Sequence, residues 1–85
     1  MTASYAVGID LGGTNIKGGV CTLDGQLRSR RSIDTQAAGG VTHVLGRMAG
    51  LVDDLVRDAQ LTKADIAGVG VGAPGPMSHA AGVIH

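Results

Sequence analysis

The sequence predicts an α/β fold built on a mixed sheet, with elements in the order β-β-β-α-β. Three observations carry that expectation. Two alternating apolar runs flank a Gly-Gly-Thr turn. A broad helical stripe follows a third, more polar run. A last apolar run has glycine at every second position. Strand residues alternate faces with period two and helical residues return every 3.6, so the two patterns separate cleanly along this chain.

The first run, Tyr5 to Leu11, puts Tyr5, Val7, Ile9 and Leu11 on one face and Ala6, Gly8 and Asp10 on the other. The large residues read as the core side, which leaves Asp10 on a face lined by small residues. Ile16 to Leu23 reads as the returning strand of a hairpin over 5–23, and Asp24-Gly25 is a strong hairpin-turn signal. A polar third strand is expected over 26–35, toward an edge, followed by a loop at 37–40. Across 41–60, Val41, Val44, Leu45, Met48, Leu51, Val52, Leu55, Val56 and Ala59 form one apolar helical stripe. Asp53 and Arg57 are spaced to pair on its far side. Met48 reads as a core filler and His43 as a polar-face residue. A connector then leads to a strand and Gly/Pro loop over 66–77, parallel to the first strand because a helical crossover precedes it. There Val69 and Val71 face one way and Gly68, Gly70 and Gly72 the other, so something must pack close to the bare side.

Composition narrows the classes. At 85 residues, with fifteen glycines, one tyrosine, no Phe or Trp and a lone Cys21, the chain is short of large core fillers and has no internal disulfide. A chain this size buries only about 60–65% of its extended surface, so it reads as a fragment or subdomain more than a complete protein. Seven basic and seven acidic residues balance, so nothing steers it to nucleic acid or an anionic membrane. Arg28, Arg30 and Arg31 read as a solvated strand. No apolar run approaches the roughly 20 residues of a bilayer span, and no secretory pattern precedes Asp10. A cytoplasmic location is expected.

The chemistry concentrates in Gly8-Ile9-Asp10-Leu11-Gly12-Gly13-Thr14-Asn15-Ile16-Lys17. Glycines admit positive φ and let a ligand reach the amides, successive amides make an anion cradle, and a threonine hydroxyl adds a donor. Asp10 at the tip suits magnesium, a hard cation that takes oxygen ligands, usually through water. The pattern is that of a nucleotide-phosphate site on a β-hairpin, against an ordinary Asp-capped turn. Lys17 reads equally as a solvated residue or a phosphate partner. Gly70 to Gly75 matches G-x-G-x-x-G, but Pro74 and Pro76 bracket its last glycine, so it does not open the helix that a dinucleotide fingerprint needs. A rigid turn beside a cleft and a purely structural turn are equally supported there. Cys21 reads as a small buried hydrophobe, and His79 and His85 fall in a terminal loop without a partner pattern.

Two blocks carry a family resemblance. Gly8 to Gly18 resembles the phosphate-1 segment of the actin-like sugar kinase superfamily, with its RNase H-like fold; the Gly-Gly-Thr form separates it from glycerol and xylulose kinases. Gly68-Val69-Gly70-Val71-Gly72-Ala73-Pro74-Gly75-Pro76-Met77, after a helix, is similar to the corresponding segment of the ROK family of repressors, open reading frames and sugar kinases. The resemblance covers Tyr5 to His85 and implies an actin-like ATPase fold of which this chain is the N-terminal part of the small lobe. It implies ATP-dependent phosphorylation of a hexose, glucose foremost, to the 6-phosphate. Asp10 would act with Mg²⁺ while Gly12, Gly13, Thr14 and Asn15 hold the ATP phosphates, within a nucleotide segment that also takes in Gly8, Ile9, Leu11 and Lys17. Gly75 would contact the sugar.

By the same resemblance, no catalytic residue lies in these 85 positions. The Asn-Asp pair supplying the general base, the His- and Cys-rich Zn²⁺ segment and the second lobe are expected beyond His85, and the complete protein is expected to be a homodimer. Two other readings stand beside the kinase. One is a sugar-responsive repressor of the same family, disfavoured because only four residues precede Tyr5. The other is a short non-catalytic nucleotide- or partner-binding protein. ATP and polyphosphate are equally allowed as donors.

Overall fold

The computed structural model describes residues 3–72 and 81–84. Its five strands are β1 (Tyr5–Leu11), β2 (Asn15–Thr22), β3 (Leu27–Asp34), β4 (Ile66–Gly72) and β5 (Ala81–Ile84), with one long helix, α1 (Val41–Asp58). They form one mixed sheet in the order β3-β2-β1-β4-β5. β1 pairs antiparallel with β2 and parallel with β4, so the expected meander and crossover are both present and β3 lies at an edge. The other edge is β5, antiparallel to β4. This strand corrects the terminal loop read from the sequence. Gly75, His79 and His85, with the rest of the Gly/Pro loop after Gly72, lie outside the described residues.

Alternation sets the core. Val7 and Ile9 from β1, Ile16 and Val20 from β2, and Leu51, Leu55 and Val56 from α1 are buried together. Tyr5, Leu11, Val69, Val71 and Met48 pack around them, as their places in the pattern predict. Gly18 lets α1 sit close, because a Cβ there would lie 2.8 Å from both Ile9 Cδ1 and Leu55 Cδ1. α1 lies over β2 and β3 more than over β4. The apolar stripe is therefore only partly covered: Val41 is 77% and Leu45 58% exposed. An apolar groove of about 460 Å³ runs between Leu45, Met48 and Val52 on α1 and Ile66, Val69 and Val71 on β4.

The helix ends two residues earlier than its periodicity suggests. Gln60 takes φ 61°, Gln60 N–H donates to Arg57 O (2.9 Å), and Leu61 N–H donates back to Val56 O (3.0 Å). This is the Schellman closure, here with glutamine where glycine is usual. The β2–β3 hairpin turns through Gly25 at φ 99°, as Asp24-Gly25 predicts, and Leu23 is left exposed beyond the end of β2. The loop after β3 contains a 3₁₀ turn at Ala37–Gly39.

Three side-chain pairings differ from expectation. Arg57 reaches Asp54 (3.2 Å), not Asp53, which pairs with Lys63 (3.6 Å) across the following connector. Arg31 is not merely solvated: its Nε and Nη2 donate to both carboxylate oxygens of Asp58 (2.6 and 3.0 Å), fastening β3 to the end of α1. Cys21 is half-buried, its Sγ 3.8 Å from the Ala6 carbonyl.

Candidate phosphate-binding site

The β1–β2 hairpin sets Asp10 directly across from Lys17 on the face of the sheet turned away from α1. Both side chains are exposed, and no ion pair within 4 Å joins them or ties Asp10 to any other described residue. Opposite charges this close in register, each without an ion-pair partner among the described residues, can take a cation and an anion side by side. They line a shallow groove of about 430 Å³ floored by Gly8, Gly19 and Gly70 and bordered by Leu27. The bare glycine face expected for β4 is thus shared by β1 and β2.

The turn itself is Gly12-Gly13-Thr14-Asn15. Gly12 N–H donates to Asn15 O (2.9 Å), but Asn15 N–H does not close the turn onto Gly12 O. That carbonyl instead accepts from the hydroxyl of Thr35 (2.8 Å). The N–H groups of Gly13 and Thr14 find no acceptor among the described residues, and both residues are exposed. Two adjacent unengaged amides beside a hydroxyl form the donor set that a phosphate oxygen needs.

The two glycines are there for reasons other than positive φ, since neither lies in the left-handed region. A Cβ on Gly12 would sit 2.8 Å from the Asn15 carbonyl oxygen, so the turn's own backbone excludes it. A Cβ on Gly13 would meet nothing within 4 Å. Its absence leaves the amide open from the solvent side.

Of the other residues in the segment, Asn15 is exposed at the start of β2, whereas Ile9 is buried and Leu11 half-buried in the core. Ile9 and Leu11 therefore hold the strand in place, and only their backbone is left for a ligand. The residue the sequence reading missed is Thr35. Its one signal was a threonine closing a polar strand, which nothing local connects to a turn more than twenty residues earlier.

The donor set suits magnesium. Asp10 stands as a single exposed carboxylate, and no group of three or more His, Cys, Asp or Glu gathers among the described residues. Such a site leaves most of the coordination shell to water and phosphate, as magnesium prefers. No helix among the described residues is long and apolar enough to cross a membrane.

Comparison with known proteins decides the family. The model of the ROK family matches residues 6–85. The chain belongs to the ROK family. It is 31% identical over its whole length to a glucokinase of Halalkalibacterium halodurans, of which it covers 26%. A crystal structure of the ROK hexokinase from Thermus thermophilus superposes on 86% of the chain with a TM-score of 0.74 and 32% identity, across 24% of that protein. A ROK glucokinase from Streptomyces griseus, solved with glucose and AMPPNP, matches 84% with a TM-score of 0.68 and 25% identity, across 20% of its length. The fold is accordingly that of the actin-like ATPases. The chain spans about a quarter of the length of the relatives it matches.

Proposed function

We propose that this chain supplies the phosphate- and magnesium-holding hairpin of an ATP-dependent hexose kinase acting on glucose, within the small lobe of a two-lobed protein. The observation that carries the reading is the pair of amides at Gly13 and Thr14 with no acceptor among the described residues, set beside Asp10 and Lys17, which form no ion pair there. The glucokinase and hexokinase relatives, one of them solved with glucose and an ATP analogue, support the same reading.

On this reading the amides of Gly13 and Thr14 and the Thr14 hydroxyl bind phosphate oxygens, with Asn15 beside them. Lys17 balances phosphate charge from the opposite strand. Asp10 holds Mg²⁺ through water. The metal, when bound, neutralises charge on the phosphates during transfer. Holding the phosphates in one orientation turns the attack of a sugar hydroxyl into an effectively unimolecular step, and positioning of this kind supplies much of phosphoryl-transfer catalysis. Asp10 faces the metal, so the proton on the attacking hydroxyl must go to a base from another part of the protein. Gly75, in the second family block, is proposed to contact the sugar.

The test uses the full-length protein and its Asp10→Asn variant. Calorimetry should show Mg-AMPPNP binding to the wild type and a loss of at least about tenfold in the variant, with thermal stability unchanged because Asp10 is exposed and forms no ion pair among the described residues. A coupled assay across glucose, mannose and N-acetylglucosamine, with ATP or polyphosphate as donor, names the substrates. An Asp10→Asn variant with wild-type nucleotide affinity and turnover would remove the metal role.

A further inference from the structure

Thr35 is the one buried polar residue among the described residues, at 3% exposure, and it sits directly after β3. Its hydroxyl donates to Gly12 O and its backbone N–H donates to Thr14 O, each at 2.8 Å. Both carbonyls that bracket Gly13 are thus held on the side of the turn that faces β3. A trans peptide is planar, so its C=O and the following N–H point in opposite directions. Holding the Gly12 carbonyl toward Thr35 therefore turns the Gly13 N–H away from the protein, toward solvent.

Thr35 is itself fixed from both sides by α1. Arg47 Nε donates to the carbonyl of Asp34 (2.7 Å), one residue before it. The residue after it, Gln36, lies in the left-handed region at φ 55°, ψ 48°, with its Oε1 2.6 Å from His43 Nε2. A non-glycine residue pays about 1–2 kcal/mol to sit there. The chain accepts that conformation at the point where Thr35 must face the turn.

We infer that Thr35 is a positioning residue of the nucleotide site: its hydroxyl stands in for the missing Asn15 N–H as partner of the Gly12 carbonyl, and so aims the Gly13 amide at the phosphate. This rests on the nucleotide reading above. In the full-length protein, Thr35→Val keeps the shape and removes the donor, and Thr35→Ser keeps the donor. Thr35→Val should weaken Mg-AMPPNP binding by calorimetry about five- to tenfold and raise the KM for ATP similarly, as loss of one oriented hydrogen bond carries. The KM for the sugar should stay unchanged, and Thr35→Ser should restore nucleotide affinity. In wild-type protein without any variant, the Gly13 amide resonance should shift on titration with Mg-AMPPNP.

Wild-type affinity in Thr35→Val overturns the inference, as does a Thr35→Ser variant as weak as Thr35→Val, or a Gly13 amide that does not move. Equal losses for nucleotide and sugar also overturn it, since they mark a merely structural role. A wild-type protein that binds no Mg-nucleotide overturns the functional reading first, which separates the two failures.

Discussion

Alanine at Gly12 and alanine at Gly13 should do opposite things, although the two glycines are neighbours in one turn. At Gly12 the new Cβ would lie 2.8 Å from Asn15 O, where ordinary contact begins at 3.4 Å. The obstructing atom is backbone, so no rotamer relieves it, and the turn must open by roughly 0.6 Å, the difference between those two distances. The Gly12 N–H to Asn15 O bond, 2.9 Å long, then stretches past useful range. Losing it costs about 0.5–1.5 kcal/mol, and residual strain of about 1 kcal/mol brings the expected destabilisation near 2 kcal/mol. At Gly13 the Cβ meets nothing and φ is already in a range that alanine accepts, so stability should hold or rise by a few tenths of a kcal/mol. The methyl would instead stand beside the amide that faces the phosphate. Chemical denaturation should therefore separate Gly12→Ala from wild type, and calorimetry with Mg-AMPPNP should separate Gly13→Ala. A Gly12→Ala protein within about 0.5 kcal/mol of wild type would show that the turn is not held by that contact. Unchanged nucleotide affinity in Gly13→Ala would show that phosphate does not approach there.

Other perturbations test the scaffold. Leu55 is fully buried where α1 meets β2, and Leu55→Ala should cost about 2–5 kcal/mol by denaturation; a loss under about 1 kcal/mol would mean that α1 does not rest there. The Arg31–Asp58 pair should make the protein acid-sensitive. Its hydrogen bond from Arg31 holds the Asp58 carboxyl below its usual 3.8, while the same bond to Asp58 raises Arg31 further, so that it stays charged throughout. The contribution of Asp58 is thus full above about pH 5, where the unfolded carboxyl is ionised as well, and disappears as the pH falls through its lowered folded value. Arg31→Gln should flatten that acid limb in a series of melting curves from pH 5 to pH 2, by a small amount because both side chains are half-exposed. An acid limb identical to wild type would remove the pair from the account.

How much was legible in advance follows from whether a signal is local. β1 and the 68–72 part of β4 could be read because large and small residues alternate there, and a face bearing Gly8, Asp10, Gly68, Gly70 and Gly72 can only be the face kept clear. The end of α1 could not, because the closing residue is Gln60, and glutamine in the left-handed region carries no sequence mark. Asp53 and Asp54 are adjacent, so spacing alone offers Arg57 either one. Lys63, beyond the helix, claims the first and settles the choice. β5 was hidden by Gly82 and the preceding prolines, which break the alternation that its pairing with β4 restores. For the glycine turn, positive φ was the natural explanation of Gly-Gly, and the turn uses none: its reason is the close approach of Asn15 O to Gly12.

Placing an anion site on a hairpin instead of at the start of a helix changes what must hold it. A helix N-terminus brings several amides already aligned and a dipole behind them. A two-strand turn brings only as many amides as its backbone leaves unpaired, and those amides are free to rotate unless the neighbouring carbonyls are tied. In this chain they are tied at both ends, Gly12 O and Thr14 O to Thr35, and Thr35 is in turn braced by Arg47 and His43 from α1. The amphipathic helix therefore has two roles. Its buried stripe builds the core beneath β1 and β2, and polar residues near its N-terminal end fix the strand end that orients the phosphate turn. On the proposed reading, anion affinity would then depend on the packing of a helix that lines no part of the groove beside Asp10 and Lys17.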